Sequence, residues 1–287
     1  MNILVTGANG QLGSELKDLQ ETGVYNGFRF RFTDAEDMDI TNKKALEDFI
    51  LKHRFDAVIN CAAFTDVDSA EENREAAFLI NHIAVDHLAK TASENQIQLI
   101  HISTDYVFDG RHYLPYKETD EPSPQSVYGK SKRAGEKAIL ERDAGIIIRT
   151  AWLYSPYGNN FVKTISRLSK ERDELKVIYD QVGNPTYAGD LAESILKILE
   201  KQKNSFGSGI YHFANEGVCS WYDLAMEIIE QENTACNIWP IESKDWPSKA
   251  SRPHYSVFNK AKIKNDFGIT IPYWKNSLKN VLQKLYK

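Results

Sequence analysis

The sequence of 287 residues is poor in cysteine, with only three. Cys61, Cys219 and Cys236 are odd in number, lie far apart and form no CxxC pair. This pattern argues against a disulfide framework or a zinc site and favours a reducing compartment. The seven histidines show no ligand spacing either. We therefore expect no catalytic metal.

Long apolar runs and an excess of positive charge are also missing. No run approaches the roughly 20 apolar residues that a membrane-spanning helix needs. The start, MNILVTGANG, reaches glycine after a short apolar run and lacks the basic residues of a signal peptide. The net charge is -5, whereas nucleic-acid and anionic-membrane partners favour basic surfaces. We expect a cytoplasmic protein with no nucleic-acid or membrane partner.

Hydrophobic residues make up 42% of the chain, which is enough for a full core, and no repeat is visible. In the first half, β-rich apolar runs alternate with helical patterns. Strands are predicted over 2–6, 28–32, 56–60, 98–103 and 145–150, and helices over 10–20, 42–53, 73–94 and 126–142. This alternation predicts an α/β protein with a doubly wound parallel sheet, a Rossmann fold. Ligands of such sheets bind at the carboxyl ends of the strands.

The motif TGANGQLG places Gly7, Gly10 and Gly13 between the first strand and the first helix. Glycines there allow a tight turn, close approach to a phosphate, and close packing of helix on strand. The helix N-terminus offers free N–H groups to a pyrophosphate. The spacing is GxxGxxG rather than GxGxxG, but its position in a βα unit predicts a dinucleotide site.

The end of the second strand bears on which dinucleotide binds. Asp34 lies 21 residues beyond Gly13, near the position of the acidic residue that holds the adenosine ribose of NAD. Arg29 and Arg31 are close enough in sequence to serve the 2′-phosphate of NADP instead, or they form a solvated strand face. NAD and NADP both stay open.

The domain boundary is predicted where the regular alternation ends. Residues 1–150 are predicted to form a dinucleotide-binding Rossmann domain. Residues 151–287 are predicted to form mainly a smaller substrate-binding lobe, with some segments returning to the sheet. Helical patterns in this half cover 160–170, 188–201 and 220–231, and proline-containing loops separate them.

The stretch SVYGKSK places Tyr128 four residues before Lys132, one turn away on the same helix face. Ser103, Thr104 and Asp105 end the strand before it. A ketone that receives hydride also needs a proton on its oxygen. Tyrosine, with an ordinary pKa near 10, can supply it if a cation stabilises the phenolate. The order of these motifs predicts proton-coupled hydride transfer.

TGANGQLG, STDYVFDG and YGKSK together resemble the extended short-chain dehydrogenase/reductase superfamily. NCAAFTDVDSAE, RTAWLY, QVGNPTYAGDLA and RPHYS resemble more narrowly the dTDP-4-dehydrorhamnose reductase family. The resemblance implies reduction of the C4 carbonyl of dTDP-4-dehydro-β-L-rhamnose to dTDP-β-L-rhamnose by NADPH or NADH. That reaction is the last step of dTDP-rhamnose biosynthesis in the family.

The resemblance also implies roles for individual residues. The catalytic residues are Tyr128, Lys132 and Thr104. The cofactor-binding residues are Gly7, Gly10, Gln11, Leu12, Gly13, Asp39, Ile40, Ala62, Ala63, Phe64, Thr65, Tyr128 and Lys132. The substrate-binding residues are Thr104, Asp105, Trp152 and Arg252.

Structural roles compete with several of these assignments. Asp39 also fits a helix start, and Trp152 also fits a core position. Arg252 suits a diphosphate through its planar donors but fits a surface ion pair almost as well. The roles of Asn160 and Gln181 are equally open.

The resemblance further implies a possible homodimer, which in some family members is built across a magnesium site made of glutamates. Glu15 matches one such position, and Asp190 replaces the glutamate expected at another. A carboxylate in the first turn of a helix also serves simply to complement the helix dipole.

Two other classes of function compete. The first is a nucleotide-sugar dehydratase or epimerase of the same superfamily. Such a dehydratase typically has glutamate after the Thr-Asp pair, where this chain has Tyr106. An epimerase would retain its NAD through each catalytic cycle. A non-catalytic regulatory subunit of this fold is the third reading, and the intact Tyr128, Lys132 and Thr104 argue against it.

Overall fold

The computed structural model describes residues 1–203 and 207–285. Its strands are β1 Asn2–Thr6, β2 Arg29–Thr33, β3 Ala57–Asn60, β4 Gln98–Thr104, β5 Gly145–Thr150, β6 Leu153–Tyr154, β7 Glu174–Ile178, β8 Val182–Gly183, β9 Thr186–Tyr187, β10 Gly209–His212, β11 Cys219–Ser220, β12 Asn237–Ile241 and β13 Tyr255–Ser256. Its helices are α1 Gln11–Glu21, α2 Lys43–His53, α3 Val67–Glu72, α4 Arg74–Phe78, α5 Ala84–Glu94, α6 Val127–Glu141, α7 Phe161–Glu171, α8 Ala188–Lys201, α9 Trp221–Glu232, α10 Ala261–Phe267 and α11 Trp274–Leu285.

The largest sheet has six parallel strands in the order β10-β5-β4-β3-β1-β2. The strand β2 lies at an edge, which agrees with its alternation of exposed arginines and partly buried phenylalanines. The strand β5, GIIIRT, is buried throughout because helices cover both faces. The predicted doubly wound parallel sheet is confirmed.

Two apolar layers enclose this sheet. On one face, Ile3, Val5 and Ile59 pack with Leu16 of α1 and Ile195 of α8. The opposite face of the sheet packs against apolar residues of α2, α5 and α6, namely Leu46, Ile50, Val85, Leu88 and Ile139. Because successive residues of each strand point to opposite faces of the sheet, one sheet supports both layers.

The predicted helix over 73–94 is interrupted. The chain forms α4, then a π-helical turn at Leu79–Ile83, then α5. Asn81 in this turn bonds Phe64 N, Phe64 O and Ser131 Oγ. A π-helical turn rotates a side chain out of the regular helical register and is frequent near functional sites. The apolar periodicity did not reveal it.

The second half of the chain builds a layer beside the carboxyl ends of the sheet. The strands β7 and β12 pair in parallel, and α7, α9 and α11 pack with them around a separate apolar cluster. The strand β10 pairs with β5 as the sixth strand of the main sheet. The division at residue 150 stays a prediction, and residues 204–206 and 286–287 of the predicted lobe lie outside the described residues.

Candidate active site

A cleft of about 1360 Å³ opens at the carboxyl ends of the central strands. In the order β2-β1-β3-β4-β5, β2 is added on one side of β1 and the later strands on the other side. This switch point next to β1 and β3 is where doubly wound sheets bind ligands. The second half of the chain supplies the other wall through α7, β7 and Trp221. The cleft therefore lies between the glycine turn and these residues.

The glycine turn fits a pyrophosphate. Gly7 has a φ of 65°, and a Cβ on it would lie 2.6 Å from Ala62 N. A Cβ on Gly10 would contact only Gly7 O, at 3.3 Å, and would otherwise occupy the cleft. Gly10 caps α1 without a side-chain hydrogen bond. The first N–H groups of α1 are therefore donors for an anionic group.

The predicted residues of this turn divide into two groups. Gln11 and Leu12 line the cleft together with Gly7 and Gly10. Gly13 serves packing instead, since a Cβ there would lie 2.6 Å from the backbone of Ala8.

The end of β2 places Asp34 in the cleft, where its carboxylate accepts from Asn9 N at 2.9 Å and Ala35 N at 2.8 Å. Arg29 starts β2, at the amino end of the strand. The Arg31 guanidinium lies over the Phe49 ring, 5.5 Å from its centroid. The structure thus places the acidic residue, rather than the two arginines, in the cleft.

Beyond the glycine turn, the cleft is also lined by the predicted cofactor residues Asp39, Ile40, Ala62, Ala63 and Thr65. Asp39 Oδ1 accepts from Thr41 N and Thr41 Oγ1, while Asn42 is the N-cap of α2. Asp39 therefore shapes the loop before the helix. The Phe64 side chain packs against Ala70, Ala77, Val127 and Tyr128. This packing does not support a contact between the Phe64 ring and the cofactor.

The start of the helix α6 lies close to the end of β4 and is held there by hydrogen bonds. Ser126 caps it by accepting from Gly129 N at 3.1 Å, and Glu71 accepts from Val127 N at 2.8 Å. A Cβ on Gly129 would lie 2.2 Å from Tyr106 O. Glycine therefore permits the close approach that brings Tyr128 beside Thr104.

Tyr128 and Thr104 both line the cleft wall, and the Thr104 hydroxyl lies close enough to the phenol to influence its pKa. Thr104 Oγ1 also donates to Asp105 Oδ1 at 3.0 Å. Burial raises the pKa of the Tyr128 phenol, and the Thr104 hydroxyl opposes this. Burial raises the pKa of Asp105 to about 6, again against a hydrogen bond from Thr104. At neutral pH the phenol is a proton donor and Asp105 is mostly ionised.

Lys132 is buried one turn further along α6. Its Nζ donates to Ile102 O at 2.6 Å and lies 3.2 Å from His101 Nε2. Burial lowers the pKa of this ammonium to about 8, while Glu136 and Cys61 act in the opposite direction. The ammonium is directed toward β4, so its predicted stabilisation of the Tyr128 phenolate stays a prediction.

Two of the predicted substrate residues, Trp152 and Arg252, line the cleft. Trp152 has a φ of 50° and stacks on Trp221. Arg252 pairs with Asp68 and donates to Tyr106 Oη at 3.3 Å. Arg252 thus forms an ion pair at the cleft, and its contact with a diphosphate stays a prediction.

Gln181 and Asn160, whose roles the sequence leaves open, have different hydrogen-bond partners. Gln181 lines the cleft and donates to Ser243 Oγ at 3.0 Å. Asn160 caps α7 by accepting from Lys163 N, and its amide donates to Gln11 Oε1 at 2.9 Å. Asn160 therefore links the start of α7 to the glycine turn.

The possible magnesium site is not supported. Glu15 is buried beneath Tyr187 and Lys284, accepting from Tyr187 Oη at 2.9 Å. Asp190 accepts from Asn215 and Ser277. Within residues 1–203 and 207–285, no group of three His, Cys, Asp or Glu side chains is arranged to hold a metal. Lys284 supplies the positive charge beside Glu15.

Sequence reasoning missed several residues of the site. Trp221 and Trp246 line the cleft from the second half of the chain, and no local sequence pattern encodes that position. His101 and Asn60 lie buried beneath Lys132. A histidine inside the otherwise apolar strand QLIHIS was the available signal.

A family model described as the RmlD substrate binding domain matches residues 1–287. The chain belongs to this family. The resemblance identified from the motifs is therefore confirmed.

Similar proteins match this chain over nearly its full length. The curated dTDP-4-dehydrorhamnose reductase of Aggregatibacter actinomycetemcomitans is 42% identical over 290 residues, which is 97% of each chain. The crystal structure of a dTDP-4-dehydrorhamnose reductase from Clostridium acetobutylicum ATCC 824 is 42% identical, with a TM-score of 0.94 and 100% coverage of both chains. That of the Bacillus anthracis str. Ames reductase, in complex with NADP, is 37% identical, with a TM-score of 0.92 and 99% coverage of both.

Members of the RmlD family thus share this fold from end to end. Within the part of the chain that the structure describes, no helix is both long enough and apolar enough to cross a membrane.

Proposed function

We propose that this chain reduces the C4 carbonyl of dTDP-4-dehydro-β-L-rhamnose to dTDP-β-L-rhamnose, using NADPH or NADH. One observation carries the proposal. Tyr128 and Thr104 line one cleft close to each other, with Lys132 buried one turn away and the glycine turn in the same cleft. The relatives named above carry the name of this reductase over nearly the full chain.

The cofactor site rests on the residues that line the cleft. The N–H groups at the start of α1 bind the pyrophosphate, and Gly10 leaves room for it. Asp34 accepts from the adenosine ribose, and Lys132 donates to the nicotinamide ribose. A bound reduced nicotinamide supplies hydride to C4.

The residues of this chain handle the proton. The Tyr128 O–H bond breaks as a new O–H bond forms on the C4 oxygen. Thr104 provides a second hydroxyl beside the phenol to orient that oxygen. Lys132 stabilises the phenolate that Tyr128 leaves behind. Asp105, Trp152 and Arg252 hold the sugar nucleotide.

The dehydratase alternative needs another acid/base group after the Thr-Asp pair. Tyr106 occupies that position, and burial raises its pKa to about 12. Its hydroxyl accepts from Arg252 Nη1 at 3.3 Å. This phenol stays protonated at neutral pH and is a poor base for elimination. The geometry therefore favours reduction over dehydration.

The test is to supply dTDP-4-dehydrorhamnose with NADPH or NADH, follow nicotinamide absorbance, and identify dTDP-rhamnose by mass and NMR. Stoichiometric oxidation of the nicotinamide is expected. Failure with both cofactors would overturn the proposal. Conversion with tightly retained NAD and no net oxidation would favour an epimerase.

A homodimer and a cytoplasmic location stay predictions. Light scattering coupled to gel filtration measures the first, and cell fractionation measures the second. No magnesium ion is included in the proposal, because Glu15 is already paired with Lys284.

A further inference from the structure

A buried chain of hydrogen bonds ends on Lys132. It runs from Thr6 on β1 through Asn60 on β3 to His101 on β4, and these three neighbouring strands place the side chains in line. Thr6 Oγ1 donates to Asn60 Oδ1 at 2.7 Å, Asn60 Nδ2 lies 2.9 Å from His101 Nδ1, and His101 Nε2 lies 3.2 Å from Lys132 Nζ. None of the four residues is more than 2% exposed.

His101 stays uncharged within this chain. Burial, together with the neighbouring Lys132 charge, holds the pKa of the imidazole well below its usual range. A neutral imidazole has one N–H and one lone pair, so its two nitrogens face partners of opposite kind. The state of Lys132 therefore decides which nitrogen carries the proton.

The two states of Lys132 require opposite directions of the chain. A cationic Lys132 only donates, so His101 Nε2 accepts, Nδ1–H donates to the Asn60 amide oxygen, and the Asn60 NH₂ faces Thr6. A neutral Lys132 accepts from His101 Nε2–H. Nδ1 then accepts from the Asn60 NH₂, and Thr6 donates to the amide oxygen. The second pattern needs only a rotation of the amide of Asn60 and a change of tautomer of His101.

We propose that Thr6, Asn60 and His101 form a reversible hydrogen-bond chain that positions Lys132 in both of its charge states. On deprotonation one proton leaves the site, and His101 carries a single proton before and after. Each direction gives Asn60, His101 and Lys132 a donor opposite an acceptor, and an unpaired buried group among them would cost about 1–3 kcal/mol. His101 is thus a positioning residue, and the inference rests on the proposed role of Lys132.

The surroundings make both charge states accessible. Besides His101, the groups that act on Lys132 are Glu136 on its own helix and Cys61 after β3. Burial raises the pKa of the Cys61 thiol to about 12, so Cys61 carries no charge at neutral pH. Glu136 is ionised and paired with Arg149.

The first test is NMR of the wild-type protein labelled with ¹⁵N-histidine and ¹³Cε-lysine, with His101→Gln and Lys132→Met used for assignment. His101 should be the Nδ1–H tautomer at low pH and the Nε2–H tautomer at high pH. The change should coincide with the Lys132 titration, near the pKa of about 8. One unchanged tautomer across that titration overturns the proposal.

The second test compares two variants. His101→Phe removes both nitrogens, so both charge states of Lys132 lose a bond. The Lys132 midpoint should fall by about one pH unit, because the charge-assisted bond lost by the cation is the stronger of the two. The alkaline limb of kcat should move with it, which loss of packing alone would not cause. His101→Gln places an amide near the Nε2 position and should restore both midpoints. An unchanged midpoint in folded His101→Phe contradicts the proposal.

These results separate two kinds of failure. The NMR measurements need no sugar nucleotide, so they judge the hydrogen-bond chain even if turnover of dTDP-4-dehydrorhamnose fails. If His101→Phe does not fold, the tautomer of the wild-type protein still decides.

Discussion

The indole rings of Trp152 and Trp221 lie parallel in the cleft wall, 3.6 Å apart at their centroids and 8° apart in plane. Trp152 adopts a left-handed backbone with a φ of 50°. A residue without glycine's freedom pays about 1–3 kcal/mol for such a conformation, and functional sites concentrate this strain. The stack therefore stabilises an orientation that the local backbone disfavours.

Replacing Trp221 with Leu should loosen Trp152 and weaken binding of the sugar nucleotide. An aromatic pair contributes about 0.5–1.5 kcal/mol, so KM for the substrate should rise about 2- to 10-fold. KM for the nicotinamide should not change. The matched control is Trp239→Leu, because Trp239 is exposed on β12. Equal effects of the two variants would contradict the role of the stack.

Tyr128→Phe should lower kcat by about 10²–10⁴-fold, the usual contribution of a general acid, and leave cofactor affinity unchanged. Tyr106→Phe is the control, because its ring lies 5.5 Å from that of Tyr128 and its hydroxyl is bonded to Arg252. The control should retain kcat within about tenfold. Steady-state kinetics and cofactor fluorescence titration measure the two effects. A mild effect at Tyr128 would exclude it as the donor.

The pH profile of kcat/KM should have an acid limb near pH 6, because burial raises the pKa of Asp105 to about 6. Below that pH the carboxyl is protonated and loses the negative charge that strengthens a hydrogen bond from a sugar hydroxyl. Asp105→Asn should remove the limb. Asp109→Asn should keep it, since a bond from Tyr116 lowers the pKa of Asp109. A limb that persists in Asp105→Asn would assign it to another group.

Asp34→Ala should discriminate between the two cofactors. The carboxylate lines the cleft and suits a ribose hydroxyl, whereas it repels a 2′-phosphate. KM for NADH should rise about tenfold, the loss of one charged hydrogen bond, and KM for NADPH should stay level or fall. The control is Asp37→Ala, which removes one negative charge from the same turn. Asp37 accepts from Asp34 N at 3.1 Å. A parallel change for both cofactors would contradict a ribose contact.

Glu136→Gln should destabilise the fold. Glu136 and Arg149 are both 0% exposed and form a two-bond ion pair of 2.8 and 2.7 Å. Removing one partner of a buried pair costs about 3–5 kcal/mol of unfolding free energy. Urea unfolding at neutral pH measures it. The control is Glu171→Gln in the exposed pair with Arg167, with an expected change within about 1 kcal/mol.

The pair should also weaken in acid. Burial opposes ionisation of Glu136, but the bonds and charge of Arg149 lower its pKa overall. A carboxyl with a lower pKa in the folded state stabilises the fold above its unfolded-state pKa. That stabilisation is lost as the pH falls through the folded-state value. If the unfolding free energy of the wild-type protein did not fall as the pH passes through the folded-state pKa of Glu136, that result would count against this ion pair.

The repeating strands and helices of the first half were predictable because they are periodic. GIIIRT is a continuous apolar run, RFRF alternates, and Ser126 and Asn42 occur where α6 and α2 need caps. Local preferences of this kind act over a few residues. The π-helical turn at Leu79–Ile83 escaped prediction because contacts of Asn81 with Phe64 and Ser131 stabilise it, and both partners are distant in sequence.

By itself, the sequence determined the sheet, the glycine turn and the order of Thr104, Tyr128 and Lys132 along the chain. Only the tertiary structure decided that Tyr128 meets Thr104, that Lys132 bonds to β4 through Ile102 and that Trp221 reaches Trp152. Spacing along a helix or strand follows from backbone geometry, which neighbouring residues share. Direction and partner depend on burial and on strands brought together across the whole chain, and no local pattern encodes those.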